Sequence, residues 1–448
     1  MSARSRRRRR RSLVRSGASV RVAYLVGRYP SVTHTFILRE VRALERLGAD
    51  VHRFSIWRTD DQGLLSPIDR EECAKTHALL ETTPARVLGA HIKAFARAPA
   101  PYLRTLKRAL ALSSSGLRRR ALAMSWFVEA VLLWDACRKR GVRHVHVHLD
   151  GTGPMVALLT VEFANARDNA GGAWSWSQTV HGSKEFYDVH RERLDVKAAG
   201  ATFLACISDY TRSQVMAFVP EELWSKLVVV RCGIDLEQFA PRPQGEHGQL
   251  RILTVGRVDA MKGTVVLLQA LQLLAERGCR PTLTVVGDGP SRAKAIEMAK
   301  RLGISDQVSW EGAVGQDRIR DYYAGCDVFC LPSFAEGIPI VLMEAMAMEV
   351  PVVANAITGI VELVENGVSG FLVRPGRVDE LTEQLAKLLE DPALRRSMGR
   401  AGRARVQAEY DLEHNIRRLA RVFTEGPSGA DEPEPFHIPV PTAAGHPG

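Results

Sequence analysis

From residue 20 the chain alternates short apolar runs with amphipathic stretches. Residues 20–26 (VRVAYLV), apolar but for Arg21, suit a buried strand. A loop over 27–35 follows. Ile37, Val41, Leu44 and Leu47 then recur every three or four positions, as on one face of a helix, with Gly48 as its C-terminal stop. Residues 51–56 supply another strand. One such βαβ unit has a right-handed crossover and therefore a parallel sheet. Residues 60–140 are predicted to be mostly helical. Strands return at 144–148, 175–180, 202–207 and 227–230. Past a polar, Pro- and Gly-containing segment at 240–248, six more apolar runs appear at 250–255, 282–286, 308–310, 327–331, 351–354 and 370–373, with helical patterns between them. That alternation predicts a second doubly wound α/β domain. Helices over 393–410 and 412–424 close the pattern.

The layout expected is an Arg-rich tail at 1–18, an N-terminal Rossmann-like domain at 19–240 and a linker at 241–249. A C-terminal Rossmann-like domain at 250–410, a helix at 411–425 and a disordered tail at 426–448 follow. In doubly wound sheets ligands sit beyond the carboxyl ends of the strands, so the strand-to-helix loops should carry the chemistry.

Charge changes this picture little. The 448 residues carry a net +11. Eight of those charges are arginines in the first fifteen positions (Arg4, Arg6 to Arg11, Arg15), which leaves +3 on the rest. The arginine run cannot bury apolar surface, and it could touch anionic lipid headgroups or RNA. Basic positions in the helical block, including Lys93, Arg97, Arg104, Lys107, Arg108 and Arg118 to Arg120, would suit a membrane surface or a plain solvated face. Nucleic acid is not the partner expected for the body of the chain. The seven cysteines form no C-x-x-C pair, so free thiols and no zinc site are expected. The apolar stretch 121–137 is broken by Glu129 and Asp135 and is too short to span a bilayer. With no apolar signal segment behind the arginines, a cytoplasmic chain is expected, with peripheral contact to the inner face of the cell membrane as an option.

Three strand-end loops carry candidate chemistry. Glu336 and Glu344 flank Gly337, Ile338 and Pro339. If the whole run were helical, eight residues at about 1.5 Å rise would separate the two backbones by roughly 12 Å. Carboxylates acting on one glycosidic bond sit about 5–10 Å apart, so the spacing suits two grips on an extended ligand better than hydrolysis. Arg257 and Lys262 border a loop entering a helix near Lys262, where two cations and helix N–H groups would cradle a diphosphate. Gly287, in the turn Gly287-Asp288-Gly289-Pro290, would let a ligand or backbone approach closely.

In order and spacing these motifs resemble the retaining family-4 glycosyltransferases of the GT-B fold. The run is G-R-x4-K-G at 256–263, G-D-G-P at 287–290, E-G-I-P-x3-M-E-A-M-A at 336–347, P-V-V-A at 351–354 and N-G-x-x-G-F-L-V at 366–373. The N-terminal half is similar to a subgroup of bacterial exopolysaccharide and colanic-acid-type transferases. That similarity rests on Tyr29-Pro30, His34-Thr35-Phe36-Ile37 and Glu40, the histidines 144, 146 and 148, and Thr179-Val180-His181-Gly182.

The resemblance implies two Rossmann-like domains facing across a cleft, with the acceptor on the N-terminal one. Arg257 and Lys262 match the donor-diphosphate contacts. Glu336 matches a residue by the donor-sugar hydroxyls, with Gly337 and Ile338 beside it, and Glu344 matches a ribose-hydroxyl ligand. His181 matches a histidine near the transferred sugar; read without the family it would be a hydrogen-bonded core histidine. His148 and His34 are placed only near the cleft. The implied reaction moves a sugar with retention from a UDP- or GDP-sugar to a glycan or lipid-linked acceptor, with no cofactor. No D-x-D triplet occurs, which argues against a metal bridging the phosphates. A sugar-nucleotide epimerase on the same fold and a non-catalytic glycan-assembly partner are the alternatives. Three departures stand out. Glu349 and Thr358 occupy positions where the family has glycine, and the acidic residue that follows the His-Gly pair is displaced by Ser183-Lys184-Glu185.

Overall fold

The computed structural model describes residues 20–31, 34–60, 66–113, 116–149, 151–167, 173–182, 186–187, 189, 193–241 and 249–430. The Arg-rich tail, most of the linker, Ser183 to Glu185 and residues 431–448 lie outside them.

The first sheet has seven parallel strands in the order β3-β2-β1-β4-β5-β6-β7. They are β1 (Arg21–Arg28), β2 (Asp50–Trp57), β3 (His77–Ala78), β4 (His144–His148), β5 (Ser175–Val180), β6 (Leu204–Cys206) and β7 (Leu227–Val229). Helices α1 (Thr35–Arg46), α2 (Pro67–Lys75), α3 (Pro84–Arg97), α4 (Pro99–Leu112), α5 (Leu117–Arg140), α6 (Thr152–Arg167), α7 (Leu194–Gly200) and α8 (Asp209–Phe218) connect them. The short edge strand β3 interrupts the block predicted to be helical. It has no apolar run of its own and pairs only through Phe54 with His77 and Ser55 with Ala78.

The second sheet is β10-β9-β8-β11-β12-β13, again all parallel. Its strands are β8 (Arg251–Val255), β9 (Thr282–Val286), β10 (Val308–Gly312), β11 (Val328–Leu331), β12 (Val352–Asn355) and β13 (Phe371–Val373). The helices are α9 (Thr264–Glu276), α10 (Arg292–Arg301), α11 (Ile319–Ala324), α12 (Ile340–Ala347), α13 (Ile360–Leu363), α14 (Val378–Glu390) and α15 (Pro392–Glu409). Near-continuous apolar strands such as β11 and β12 are buried on both faces, as parallel sheets covered by helices require.

The last helix, α16 (Leu412–Glu425), leaves the second domain and returns to the first. Its Leu412, Ile416, Leu419 and Val422 are buried with Val22, Tyr24 and Ala205. Residues 427–430, expected to be part of a disordered tail, form one 3-10 turn that buries Ala430 against the same cluster. Apolar contact there offsets the turn-forming composition. No helix among the described residues is long and apolar enough to cross a membrane.

Candidate active site

The diphosphate-cradle loop leaves β8 at Val255. The Asp259 carboxylate accepts from the Met261 N–H (3.0 Å) and caps a 3-10 turn at Ala260–Lys262. Lys262 therefore lies in that turn, two residues before α9 starts at Thr264. Gly263 adopts φ +65° between them. A side chain there would place Cβ 2.0 Å from the Pro332 carbonyl oxygen, so only glycine brings the turn this close to the end of β11. Gly287 makes the matching approach, with an added Cβ 1.9 Å from the Gly256 carbonyl oxygen.

This packing aims Lys262 across to the loop after β11, where its Nζ lies 2.5 Å from Glu336 Oε1. Two residues 74 positions apart, both predicted to hold the donor, thus meet directly. Arg257 stands at the rim with 58% of its side chain exposed and Nε 3.7 Å from Asp259. The Glu336 carbonyl accepts from the Thr358 hydroxyl at 2.7 Å, which ties the loop to the end of β12. The helical spacing between the two glutamates does not hold. Pro339 is extended (φ −76°, ψ 119°) and α12 begins at Ile340, so Glu336 to Pro339 form a loop.

The same loop touches the other domain. A Cβ on Gly337 would lie 2.0 Å from the His181 carbonyl oxygen, and one on Gly182 would lie 3.1 Å from Gly337 Cα. The carboxyl ends of the two sheets therefore meet at His181-Gly182 and Gly337-Ile338, with Ile338 buried.

Glu344 lies on α12, 2% exposed. Its two oxygens are taken by side chains that the sequence did not point to. Arg39 Nη2, from α1 of the first domain, donates to Oε1 at 2.5 Å, and the Tyr323 hydroxyl donates to Oε2 at 2.8 Å. Arg39 also donates to Gln316 Oε1 at 2.6 Å and lies 5.1 Å over the Phe239 ring, while its Nη1 is buried without a partner. Burial and the neighbouring Glu344 push the Tyr323 hydroxyl well above its ordinary range. Arg39 lies on the polar side of an amphipathic helix, where periodicity marks nothing special.

Behind His181 runs a hydrogen-bonded chain. His181 Nε2 is 3.0 Å from His148 Nδ1, His148 Nε2 is 2.8 Å from Glu40 Oε1, and the Tyr24 hydroxyl donates to that same oxygen at 2.6 Å. Phe36 packs on His181 at 4.4 Å. A carboxylate only accepts, so His148 must donate through Nε2, which leaves the Nδ1 of a neutral His148 to accept from His181. Burial, then His148 and His34, push His181 well below the usual imidazole range, so its ring is neutral. His146 bonds Ser177 and Thr179, and His144 bonds Ser175 and Ser177. Burial lowers His144 to about 4. Among the described residues, Glu40, His146 and His148 are the group whose ligating atoms come close enough to share a cation, and their hydrogen bonds already satisfy one another and the neighbouring hydroxyls. The sequence places His148 at the cleft and singles out Glu40 without a role; Tyr24 and Tyr323 carry no sequence signal.

Two of the departures have a physical correlate. Glu349 and Thr358 both sit at positive φ, +59° and +41°, where a side chain is strained and glycine is not.

Two parallel-sheet Rossmann-like domains that meet at their strand ends, with a basic loop facing an acidic one, have the architecture of the GT-B fold. A solved structure of Anabaena HepE in complex with UDP superposes over 91% of this chain and 100% of its own, with TM-score 0.66 and 18% identity, which establishes the fold. The family model for glycosyl transferases group 1 matches residues 237–405. The GDP-mannose-dependent alpha-(1-6)-phosphatidylinositol monomannoside mannosyltransferase of Mycobacterium tuberculosis H37Rv is 30% identical over 291 residues, 60% of this chain and 73% of that protein. The chain belongs to the glycosyl transferases group 1 family. Escherichia coli K12 WcaL, named for colanic acid biosynthesis, is 26% identical over 419 residues, 90% of this chain and 99% of WcaL. For other curated relatives the chain spans about half of their length, 45–50%.

Proposed function

We propose that this enzyme transfers a sugar, with retention at the anomeric carbon, from a UDP- or GDP-sugar to a glycan or lipid-linked acceptor in exopolysaccharide or glycolipid synthesis. The observation that carries the reading is the Lys262–Glu336 pair, set between the ends of two parallel sheets with Arg257 at the rim. Arg257 and Lys262 grip the diphosphate, helped by the N-terminus of α9. Glu336, Gly337 and Ile338 border the sugar, and Glu344 takes the ribose hydroxyls. Gly287 keeps the neighbouring turn clear, and His181 lies by the transferred sugar. As the bond from the anomeric carbon to the diphosphate oxygen breaks, its electron pair passes to the diphosphate. The acceptor oxygen then bonds to carbon on the face the diphosphate leaves, and its proton passes to the departing diphosphate oxygen. Two fixed cations matter most at that moment, so they favour turnover over ground-state binding.

The relatives support transfer over epimerisation, because they are named as transferases. The names UDP and GDP-mannose belong to HepE and to the mycobacterial enzyme and leave the base open. WcaL's name supports the polysaccharide setting.

Lys262→Ala should lower turnover by orders of magnitude with a smaller loss of donor affinity, and activity should survive EDTA. Activity that EDTA abolishes and Mn²⁺ restores would refute the reading. A thermal-shift screen with UDP- and GDP-sugars settles the base, since ligand at about 100 times its Kd adds about 2.7 kcal/mol.

A further inference from the structure

The loop that follows β12 is held from the first domain. Glu362, on the single turn α13, reaches across and takes the first two N–H groups of α8. Its Oε1 accepts from the Tyr210 N–H at 2.6 Å and its Oε2 from the Asp209 N–H at 3.0 Å. Those two donors have no partner within their own helix, since Ser208 caps the Thr211 N–H instead. A carboxylate is the group a helix N-terminus favours. Arg231, just past β7, adds a cation 3.6 Å from Glu362 Oε2 and 2.9 Å from Asp209. Arg405 donates to the Glu362 carbonyl at 2.8 Å and holds the same turn from behind. The other end of the turn lies on the candidate site. The Thr358 hydroxyl donates to the Glu336 carbonyl at 2.7 Å. Gly359 packs so closely that an added Cβ would lie 2.5 Å from the Gly337 carbonyl oxygen and 2.6 Å from Ile338 Cγ1. The Glu362 N–H donates to the Gly359 carbonyl at 3.2 Å, so the grip on α8 and the grip on the Glu336 loop belong to one turn of chain.

We propose that Glu362 is a positioning residue for the transfer: through Thr358 and Gly359 it sets Glu336 against the donor sugar according to how the first domain is seated. It touches no reacting atom. The inference rests on the reading of Glu336 as a residue bordering that sugar. A tie that merely joined the domains would end on any part of their contact. This one ends on residues 336–338, which also meet His181 and Gly182 of the first domain directly. Without Glu362 the loop keeps that direct contact but is free to shift. A shift of about 1 Å in a catalytic group costs on the order of a hundredfold in rate.

The test follows release of UDP or GDP from UDP-glucose and GDP-mannose by the full chain, a hydrolysis that needs no acceptor. Glu362→Ala should lower kcat roughly tenfold or more. The Kd of UDP or GDP, from calorimetry, should stay within about twofold of the parent, which reports on the donor site separately from this inference. Glu362→Gln keeps an oxygen for one of the two N–H groups, should fall between, and stands in for alanine if that variant unfolds. Thr358→Ala should lose a similar factor. The double variant should lose no more than the larger single loss, because both residues act along one line. An unchanged kcat in Glu362→Ala would overturn the proposal. So would losses that multiply in the double variant, or a kcat that falls only together with nucleotide affinity.

Discussion

Arg39→Met is the most informative substitution. Arg39 and Glu344 are 6% and 2% exposed and 2.5 Å apart, and neither is a solvated ion. Removing one partner of a buried pair costs about 3–5 kcal/mol. Methionine retains the contact with Phe239, and Tyr323 still donates to Glu344, so the low end, about 3 kcal/mol, applies. At about 2–4 °C per kcal/mol, the melting temperature should fall by about 6–12 °C. Donor affinity should move the other way. On the proposed role of Glu344, Arg39 holds the carboxylate oxygen that a ribose hydroxyl would take, and a buried carboxylate deprived of its cation gains from every hydroxyl that arrives. Hydrogen bonds to a charged group contribute about 1.5–3 kcal/mol, so nucleotide binding should tighten about 10- to 150-fold. Scanning fluorimetry measures the first change and titration calorimetry with UDP and GDP the second. Glu344→Gln should abolish the gain in the double variant. A lowered melting temperature with unchanged or weaker nucleotide binding would refute the reasoning and make Arg39 a donor ligand or a purely structural link.

Three further outcomes can be checked. Glu40→Gln keeps the hydrogen bond to His148 but withdraws the negative charge at the end of the hydrogen-bonded chain; turnover should fall with little change in donor KM, whereas an unchanged kcat would exclude a role for the chain. Burial raises the Glu129 carboxyl to about 7, and its Oε2 has no partner. Its stabilising contribution is therefore complete below the ordinary value of 4.5 and lost as pH rises through 7. Glu129→Gln should be near neutral at pH 4 and stabilising by about 3 kcal/mol at pH 8, and equal effects at both in denaturant titrations would contradict this. Glu349→Gly should stabilise by about 0.5–1 kcal/mol, because relief of left-handed strain exceeds the entropy that glycine adds to the unfolded chain; a loss of stability in the same titration would rule it out.

Local order along the chain was readable where chemistry and periodicity coincide. Lys262 and Glu336 each follow an apolar strand, and a loop at a strand end is where a doubly wound sheet exposes side chains. What could not be read depends on contacts between distant residues. Arg39 and Glu344 are 305 positions apart, and nothing on either helix announces the other. Glu40, His148 and His181 come together because β1, β4 and β5 are neighbours and α1 follows β1. Strand β3 was invisible because two residues carry no period, and α16 because an amphipathic helix does not say which domain it covers.

The return of α16 has a mechanical consequence. The chain passes between the domains twice, and the two passages are laced together: the Ile234 N–H donates to the Tyr410 carbonyl at 2.8 Å, and the Leu412 N–H to the Ile234 carbonyl at 3.1 Å. Gly233 fits against Leu412 so closely that an added Cβ would lie 2.4 Å from its Cα. A single tether would let one lobe swivel freely over the other. Two paired tethers act as a pivot that permits bending in one direction and resists torsion. Opening to admit a donor and closing over it would then return His181 to the same place against Gly337 on each cycle, and the carboxyl-terminal helix becomes part of the hinge rather than an appendage.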